Sequence, residues 1–540
     1  MKHTISKIFA GALLLGTVSC TANYLDINSN PYQPGDLTAD DYALGSAMNS
    51  LASGVISSDV NTAQFTEALM GGPLAGYFAP ANAGWENTVS NYNPTDDWTN
   101  VLLKSEKVIP VIYTNLGIIE TVSEQTGSPV PMAIANIIKV AAMHRITDTY
   151  GPIPYSKIGA DGSINTPYDS VEEIYMAFFD ELDASIATLN ENSEYKLVAT
   201  ADYVYSGDIK KWIRYANSLK LRLAIRIANV KPDVAREKAE EAVNDPGGLI
   251  TSNADNAAWH YFGSVQNPLY VAVNYNRVST HDDGTACTST GDTHAAADII
   301  CYMNGYDDPR REMYFTKSEW EGYDYVGLRH GIEIPEHGAI GHKFSGPNIK
   351  ANDALQWMNA AEVAFLRAEG VAVYGFNMGG TAKDFYEQGV RLSFEQWGVT
   401  GADTYLAQET AVPEIYDDPS GSNDYNAQLS TLSVKWVDGS KDEMQERILI
   451  QKWIANFHLG NEAWADFRRT GFPHLIPAME SAVGNNSQGI RNLTLGARRM
   501  SYPADEATNN PENYAKAVEM LGGSDNMATR MWWDCNPAVK

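Results

Sequence analysis

Cysteine is scarce in this chain, with four among 540 residues, at positions 20, 287, 301 and 535. No two stand in a Cys-x-x-Cys arrangement, so zinc-ribbon spacing is excluded, and the set is too small and scattered for a disulfide framework. Cys287 and Cys301 are the pair placed to form a bridge, which would close one loop. Positive charge is also short: 39 Lys and Arg stand against 67 Asp and Glu, a formal net charge of −28. That excess of carboxylates repels phosphate backbones and anionic lipid, which argues against nucleic acid as a partner. Long apolar runs are missing beyond residue 20, where no stretch approaches the roughly 18 uncharged apolar residues of a membrane span. Catalytic signatures are missing too. There is no G-x-S-x-G elbow, no Walker A loop, no H-E-x-x-H helix and no complete EF-hand loop.

What is present begins at the N-terminus. MKHTISK supplies a basic start, IFAGALLLG an apolar middle, and TVSC a small-residue cleavage region ending at Cys20. The apolar stretch is about half of the roughly twenty residues a span requires, so it reads as an export signal over residues 1–19, removed on maturation. Cys20 is then the expected lipidation site, with acyl chains holding the protein to a membrane face at about 0.8 kcal/mol per buried CH₂. Thr17 stands where a strict lipobox has leucine, so an ordinary secretory signal ending in a chance cysteine stays open. Loss of Lys2 and Lys7 with the signal takes the net charge from −28 to about −30.

The mature chain reads as mostly helical. Ile134, Ile137, Ile138 and Ala141 recur at helical spacing over 132–150, and the run stops at GPIP, where proline lacks the donor the next turn needs. Ser170 with Glu173 forms a capping-box pattern ahead of Val171, Ile174, Phe178, Leu182, Ile186 and Leu189 on one face. Trp212, Tyr215, Ala216, Leu219, Leu223 and Ile227 make a third stripe, and NDPGG at 244–248 ends the shorter helix that follows. Further helices are expected over 357–374, 382–397, 441–468 (opened by Ser440 and Glu443) and 513–521. Successive helices with modest connections predict an all-α fold of stacked, TPR-like helical hairpins, although no clean 34-residue repeat can be written. The helical scaffold spans about 97–250 and 351–470. Two blocks rich in Gly, Asp, Thr, Asn and aromatics, about 71–96 and 252–350, read as a loop-rich insertion carrying function.

Several segments, taken in order, resemble one family. They are NYLDINSNP after Cys20, RITDTYGPIPYS at 145–156, KKWIRYANSLKLRLAIR at 210–226, DDPRREMYF at 307–315 and WMNAAEVAFLRAEG at 357–370. QKWIANFHLGNEAWADFRRTGFP at 451–473, RRMSYPADEATNNPENYAKA at 498–517 and RMWWD at 530–534 complete the series. The chain resembles the SusD/RagB family of outer-membrane nutrient-binding lipoproteins, over essentially its whole mature length. The resemblance implies one SusD-like domain over 20–540, displayed on the cell surface at the outer membrane. It also implies a binding protein, not an enzyme, that needs no cofactor. Its partner would be a SusC-like TonB-dependent transporter, to which it delivers oligosaccharides or, in the RagB-like branch, peptides.

A sugar offers a face of C–H groups and a rim of hydroxyls, so a binder needs aromatic platforms with a few polar partners. Composition of the two loop blocks nominates Tyr77, Trp85, Tyr270, Tyr275, Trp320, Tyr323, Tyr325 and Arg329, with Asn274 and Asn276 as further polar candidates. For each the competing reading is packing against the scaffold. Trp98, Trp212, Trp453, Trp464, Trp532 and Trp533 fall on helical stripes or framework motifs and are assigned to packing. Arg468 and Arg469 are expected in internal ion pairs, with Asp466 and Glu462 on the same helix face. His330, Glu333, Glu336, His337 and His342 are legitimate zinc ligands by type, but glycines and a proline interrupt them. Asp161, Asp282, Asp283 and Asp292 supply oxygens suited to calcium without completing a loop motif, so no obligatory metal is expected. The rival readings are a peptide binder and an all-helical glycoside hydrolase, whose two carboxylates would face each other at about 5 to 10 Å.

Overall fold

The structure, a computed structural model, describes residues 39–82, 88–159, 165–260, 266–277, 280, 284–287, 291–334, 341–483 and 488–539. Cys20 and the signal, Trp85, Asp161, Asp282, Asp283, Glu336 and His337 lie outside the described residues.

Helices pack as consecutive hairpins. Ile109–Thr126 lies against Val130–Tyr150, which packs on Val171–Glu191, then Ile209–Arg226, then Pro232–Asn244. The Ser170 hydroxyl accepts from the Glu173 amide while the Glu173 carboxylate accepts from the Ser170 amide, the reciprocal cap the sequence calls for. Ser440 and Glu443 repeat it at Lys441–Ala455. Two helices carry no clear stripe in the sequence: Ala39–Ala52, and Ile109–Thr126, whose β-branched residues are weak helix formers held in place by packing. A second group, Ala360–Glu369, Ala382–Gln396 and Lys441–Ala455, packs on the first through Ile209–Arg226.

Two expected helices are corrected. The span 357–374 begins as strand β4, Leu355–Met358, paired antiparallel with β2, Ala257–Trp259, before Asn359 caps the helix Ala360–Glu369 and a π-helical turn runs to Tyr374. Ladder bonds to a strand about 100 residues away thus outcompete the helical pattern at Trp357. The span 441–468 is two helices, Lys441–Ala455 and Gly460–Thr470, because His458 takes a left-handed φ of 83°. The turn sends Gly460–Thr470 against the π-helix Gln64–Gly71. A Cβ on Gly460 would lie 2.5 Å from the Gly71 carbonyl carbon, so only glycine allows that approach.

A buried ion network joins the two groups of helices. Arg222 forks onto Glu362 at 2.7 and 2.8 Å, and Arg226 pairs with Asp148 at 3.1 Å and with Glu462. Lys452 reaches Asp466 at 2.6 Å, and Arg469 reaches Asp466 at 2.9 Å and Glu369 at 2.6 Å. Arg469 thus pairs as expected, while Glu462 turns to a different helix. Burial by itself would raise the Glu462 carboxyl, but Arg226 and Arg222 hold it well below the usual carboxylate range. Arg468 departs from expectation. It donates to the carbonyls of Asp148 at 2.6 Å and Arg498 at 3.0 Å and stacks on Trp464, because backbone oxygens, not carboxylates, face it. Trp98, Trp212, Trp453, Trp464 and Trp533 are buried and Trp532 half-buried, the packing roles assigned to them.

Candidate functional site

The loop block is more ordered than its composition suggests. Strand β1, Phe78–Pro80, pairs antiparallel with β3, Thr293–Ala295, and β3 leads directly into the helix Ala297–Gly305. A parallel bridge from Ala296 to Leu328 draws the segment 322–327 alongside that helix. Residues 414–417 close the other side, with the Glu414 amide donating to the Cys301 carbonyl at 2.9 Å. That segment passes so close that a Cβ on Gly305 would meet the Val412 oxygen at 2.1 Å.

Between these segments lies a cleft of about 460 Å³, lined among others by Asn304, Arg311, Tyr323, Asp324, Tyr325, Glu414, Ile415, Tyr416 and Asp417. One side chain holds its walls together. The Asn304 amide nitrogen donates to the Tyr325 carbonyl at 3.0 Å and to Glu414 Oε2 at 2.9 Å, while its oxygen accepts from Arg311 Nη1 at 2.8 Å. The Arg311 guanidinium sits 4.6 Å from the centre of the Tyr325 ring, a cation–π contact that orients both. The Tyr416 hydroxyl donates to the Gly327 carbonyl at 3.0 Å. Across the mouth, the Tyr323 hydroxyl donates to Asp417, and that bond raises the phenol above its ordinary range. Ile415 stands 50% exposed at the rim. Burial pushes the Cys301 thiol well up, which leaves it an unreactive part of the floor. The arrangement offers half-buried and buried phenol rings, an amide, a guanidinium and exposed carboxylates, a set suited to polar, ring-shaped molecules.

Of the residues nominated by composition, the structure brings Tyr323 and Tyr325 together here. Trp320 sits on the same turn, its carbonyl accepting from the Tyr323 amide at 3.2 Å, but its half-buried ring lies edge-on to Phe344 at 5.6 Å with Lys343 above it. Tyr275 is exposed and Tyr270 half-buried on a different segment, around the short helix Pro268–Val273. Asn274 caps that helix by donating to the Tyr270 carbonyl, and Asn276 donates to Asp292 at 2.9 Å.

Two nominations are corrected. Tyr77 is fully buried, stacked on Trp453 at 5.5 Å with its hydroxyl donating to the Trp453 carbonyl, so its ring belongs to the core. Arg329 is buried and spends its guanidinium on the carbonyls of Asn423, Asp424 and Pro477. It tethers loops. Cys287 and Cys301, the pair placed to form a bridge, are both buried. His330 bonds Asp298 at 3.0 Å and Asp292 accepts from Asn82 and Asn276, so these polar groups serve loop structure. Composition missed Asn304, Arg311, Glu414, Ile415 and Asp417. Arg311 lay in the DDPRREMYF motif, whereas residues 414–417 lie beyond the loop block, in an irregular segment that continues to the start of the helix at Lys441.

A family model for SusD-like proteins, described as Susd and RagB outer membrane lipoprotein, matches residues 26–534. Among solved structures, a SusD homologue from Bacteroides uniformis is 61% identical, covering 91% of this chain and 99% of its own, with a TM-score of 0.87. A SusD homologue from Bacteroides thetaiotaomicron is 38% identical over 91% of this chain and 98% of its own, at a TM-score of 0.81. A chitin-binding SusD homologue from Flavobacterium johnsoniae is 33% identical over 91% and 99%, also at 0.81. No curated protein matches the chain. Fold, length and family match agree: the chain belongs to the SusD-like family of outer-membrane lipoproteins.

Proposed function

We propose that this protein captures oligosaccharides at the cell surface, in the cleft between Ala297–Gly305, 322–327 and 414–417, and hands them to a SusC-like TonB-dependent transporter. One observation carries the choice of site: Tyr323, Tyr325, Arg311, Asn304, Glu414 and Asp417, drawn from four separate segments, converge on one cleft. The half-buried Tyr323 ring for stacking, beside amide, guanidinium and carboxylate groups for hydroxyls, is the chemistry of sugar recognition. The chitin-binding relative supports a glycan as ligand. Binding without turnover suffices for the role, with Cys20 as the lipid anchor.

The test is calorimetry of the soluble form beginning after Cys20, against neutral oligosaccharides and oligopeptides, with products checked by chromatography. We expect saturable glycan binding without cleavage, weakened about tenfold or more by Tyr323→Ala, a loss of at least 1.4 kcal/mol, and less by Trp320→Ala. Peptide-only binding would move the chain to the RagB-like reading, and cleavage of any glycan would make it an enzyme.

A further inference from the structure

The charges of the cleft are lopsided. Asp324, Glu414 and Asp417 are exposed at its lining, whereas Arg311 is the one cation among the lining residues. Arg311 is also committed inward, with Nη1 bonded to Asn304 and the guanidinium held over the Tyr325 ring. The carboxylates are less engaged. Glu414 accepts from Asn304 at Oε2, and Asp417 accepts from Tyr323 at Oδ2. Among the described residues neither Oε1 of Glu414 nor Oδ1 of Asp417 accepts a hydrogen bond. Asp324 lies 3.5 Å from Lys317, but both side chains are more than half exposed, so that pair neutralises little of the rim. Asp418, Asp424 and Glu312 add negative charge nearby, on a chain whose net charge is −28. A concave site lined mainly by one sign concentrates the field of its own charges.

Resting on the glycan-binding reading, we propose that this cleft selects by charge: it prefers oligosaccharides carrying protonated amino groups to their N-acetylated counterparts and excludes uronate- or sulfate-bearing ones. An ammonium group brings three donors to carboxylate oxygens that accept none from the protein, and such charge-assisted bonds are about twice as strong as neutral ones. A ligand carboxylate meets three exposed carboxylates and a guanidinium already engaged.

Three tetrasaccharides of matched length test this: glucosamine, N-acetylglucosamine and galacturonate, titrated into the soluble protein at mildly acidic pH and low salt. The amino form is expected to bind about tenfold tighter than the N-acetylated form, and the galacturonate to show no saturable binding. The amino advantage should shrink below about threefold at roughly 0.5 M salt, where the Debye length is about 4 Å. It should shrink likewise in the Glu414→Gln, Asp417→Asn double variant, whose exposed, near-isosteric changes leave the thermal melt as a check on folding. Galacturonate binding as tight as the N-acetylated sugar, or an amino advantage that survives the double variant, overturns the charge rule while leaving glycan capture standing. Failure of all three, and of every neutral glycan above, overturns the function itself.

Discussion

His458 shows how one residue links backbone, packing and titration. Its left-handed φ of 83° makes the turn between Lys441–Ala455 and Gly460–Thr470, and its ring lies 4.3 Å from Phe457 and 6.0 Å from Trp397. Nε2 is enclosed without a hydrogen-bond partner, and burial pushes the imidazole down from 6.5 to about 4. The unfolded chain therefore binds a proton below pH 6.5 that the folded chain refuses until about pH 4. Stability falls as pH drops through that window, by up to about 3 kcal/mol at roughly 1.36 kcal/mol per unit. Asparagine tolerates positive φ and does not titrate, so His458→Asn should flatten the decline of denaturant midpoint between pH 6.5 and 4. Equal slopes for wild type and variant would refute it. The position was not singled out in the sequence, because a histidine's pKa is set by neighbours that only folding supplies.

At the scale of elements, the close crossing of Gly460–Thr470 over Gln64–Gly71 sets the geometry of one whole side. Gly460 begins its helix, where intrinsic propensity alone would make alanine more favourable by up to about 1 kcal/mol. The nearest atoms to an added Cβ are all backbone, at 2.5 to 2.7 Å, and backbone cannot rotate aside. Overpacking should therefore win, and Gly460→Ala is expected to destabilise by about 1 to 3 kcal/mol, read as a lower urea midpoint at unchanged slope. A neutral or stabilising outcome would mean the helices do not approach this closely. The GGPLAGY segment that composition placed on a ligand face is used here instead. A Cβ on Gly72 would lie 2.3 Å from Phe78, so these glycines serve packing. The helices themselves were legible because 3.6-residue periodicity and capping boxes are local; the break at 456–459 and the strand at 355–358 were not, because long-range packing imposed them.

For the whole molecule, the decisive matter is how a chain of net charge −28, in a family of outer-membrane lipoproteins, is held at a membrane. No helix among the described residues is long and apolar enough to cross a membrane, and the family is one of outer-membrane lipoproteins. With Cys20 as the proposed anchor, Cys20→Ala should release the protein from the membrane fraction into the soluble one, while its glycan affinity in solution stays unchanged. Absence of an acyl mass on the N-terminal cysteine of the mature wild-type protein would refute the anchor. The amino-acid sequence by itself determined the helical hairpins, the family and the packing role of tryptophans on helical stripes, since each rests on a local pattern or an ordered series of motifs. Only the tertiary structure decided which loop aromatics face a cleft. Tyr77 is buried by Trp453, 376 residues away, and Arg329 by carbonyls about 94 to 148 residues away. The cleft likewise joins Asn304, Arg311, Tyr323 and Glu414 across loops whose composition gives no sign of what lies opposite. Exposure depends on the partner a side chain meets, and for these residues that partner is set by long-range packing.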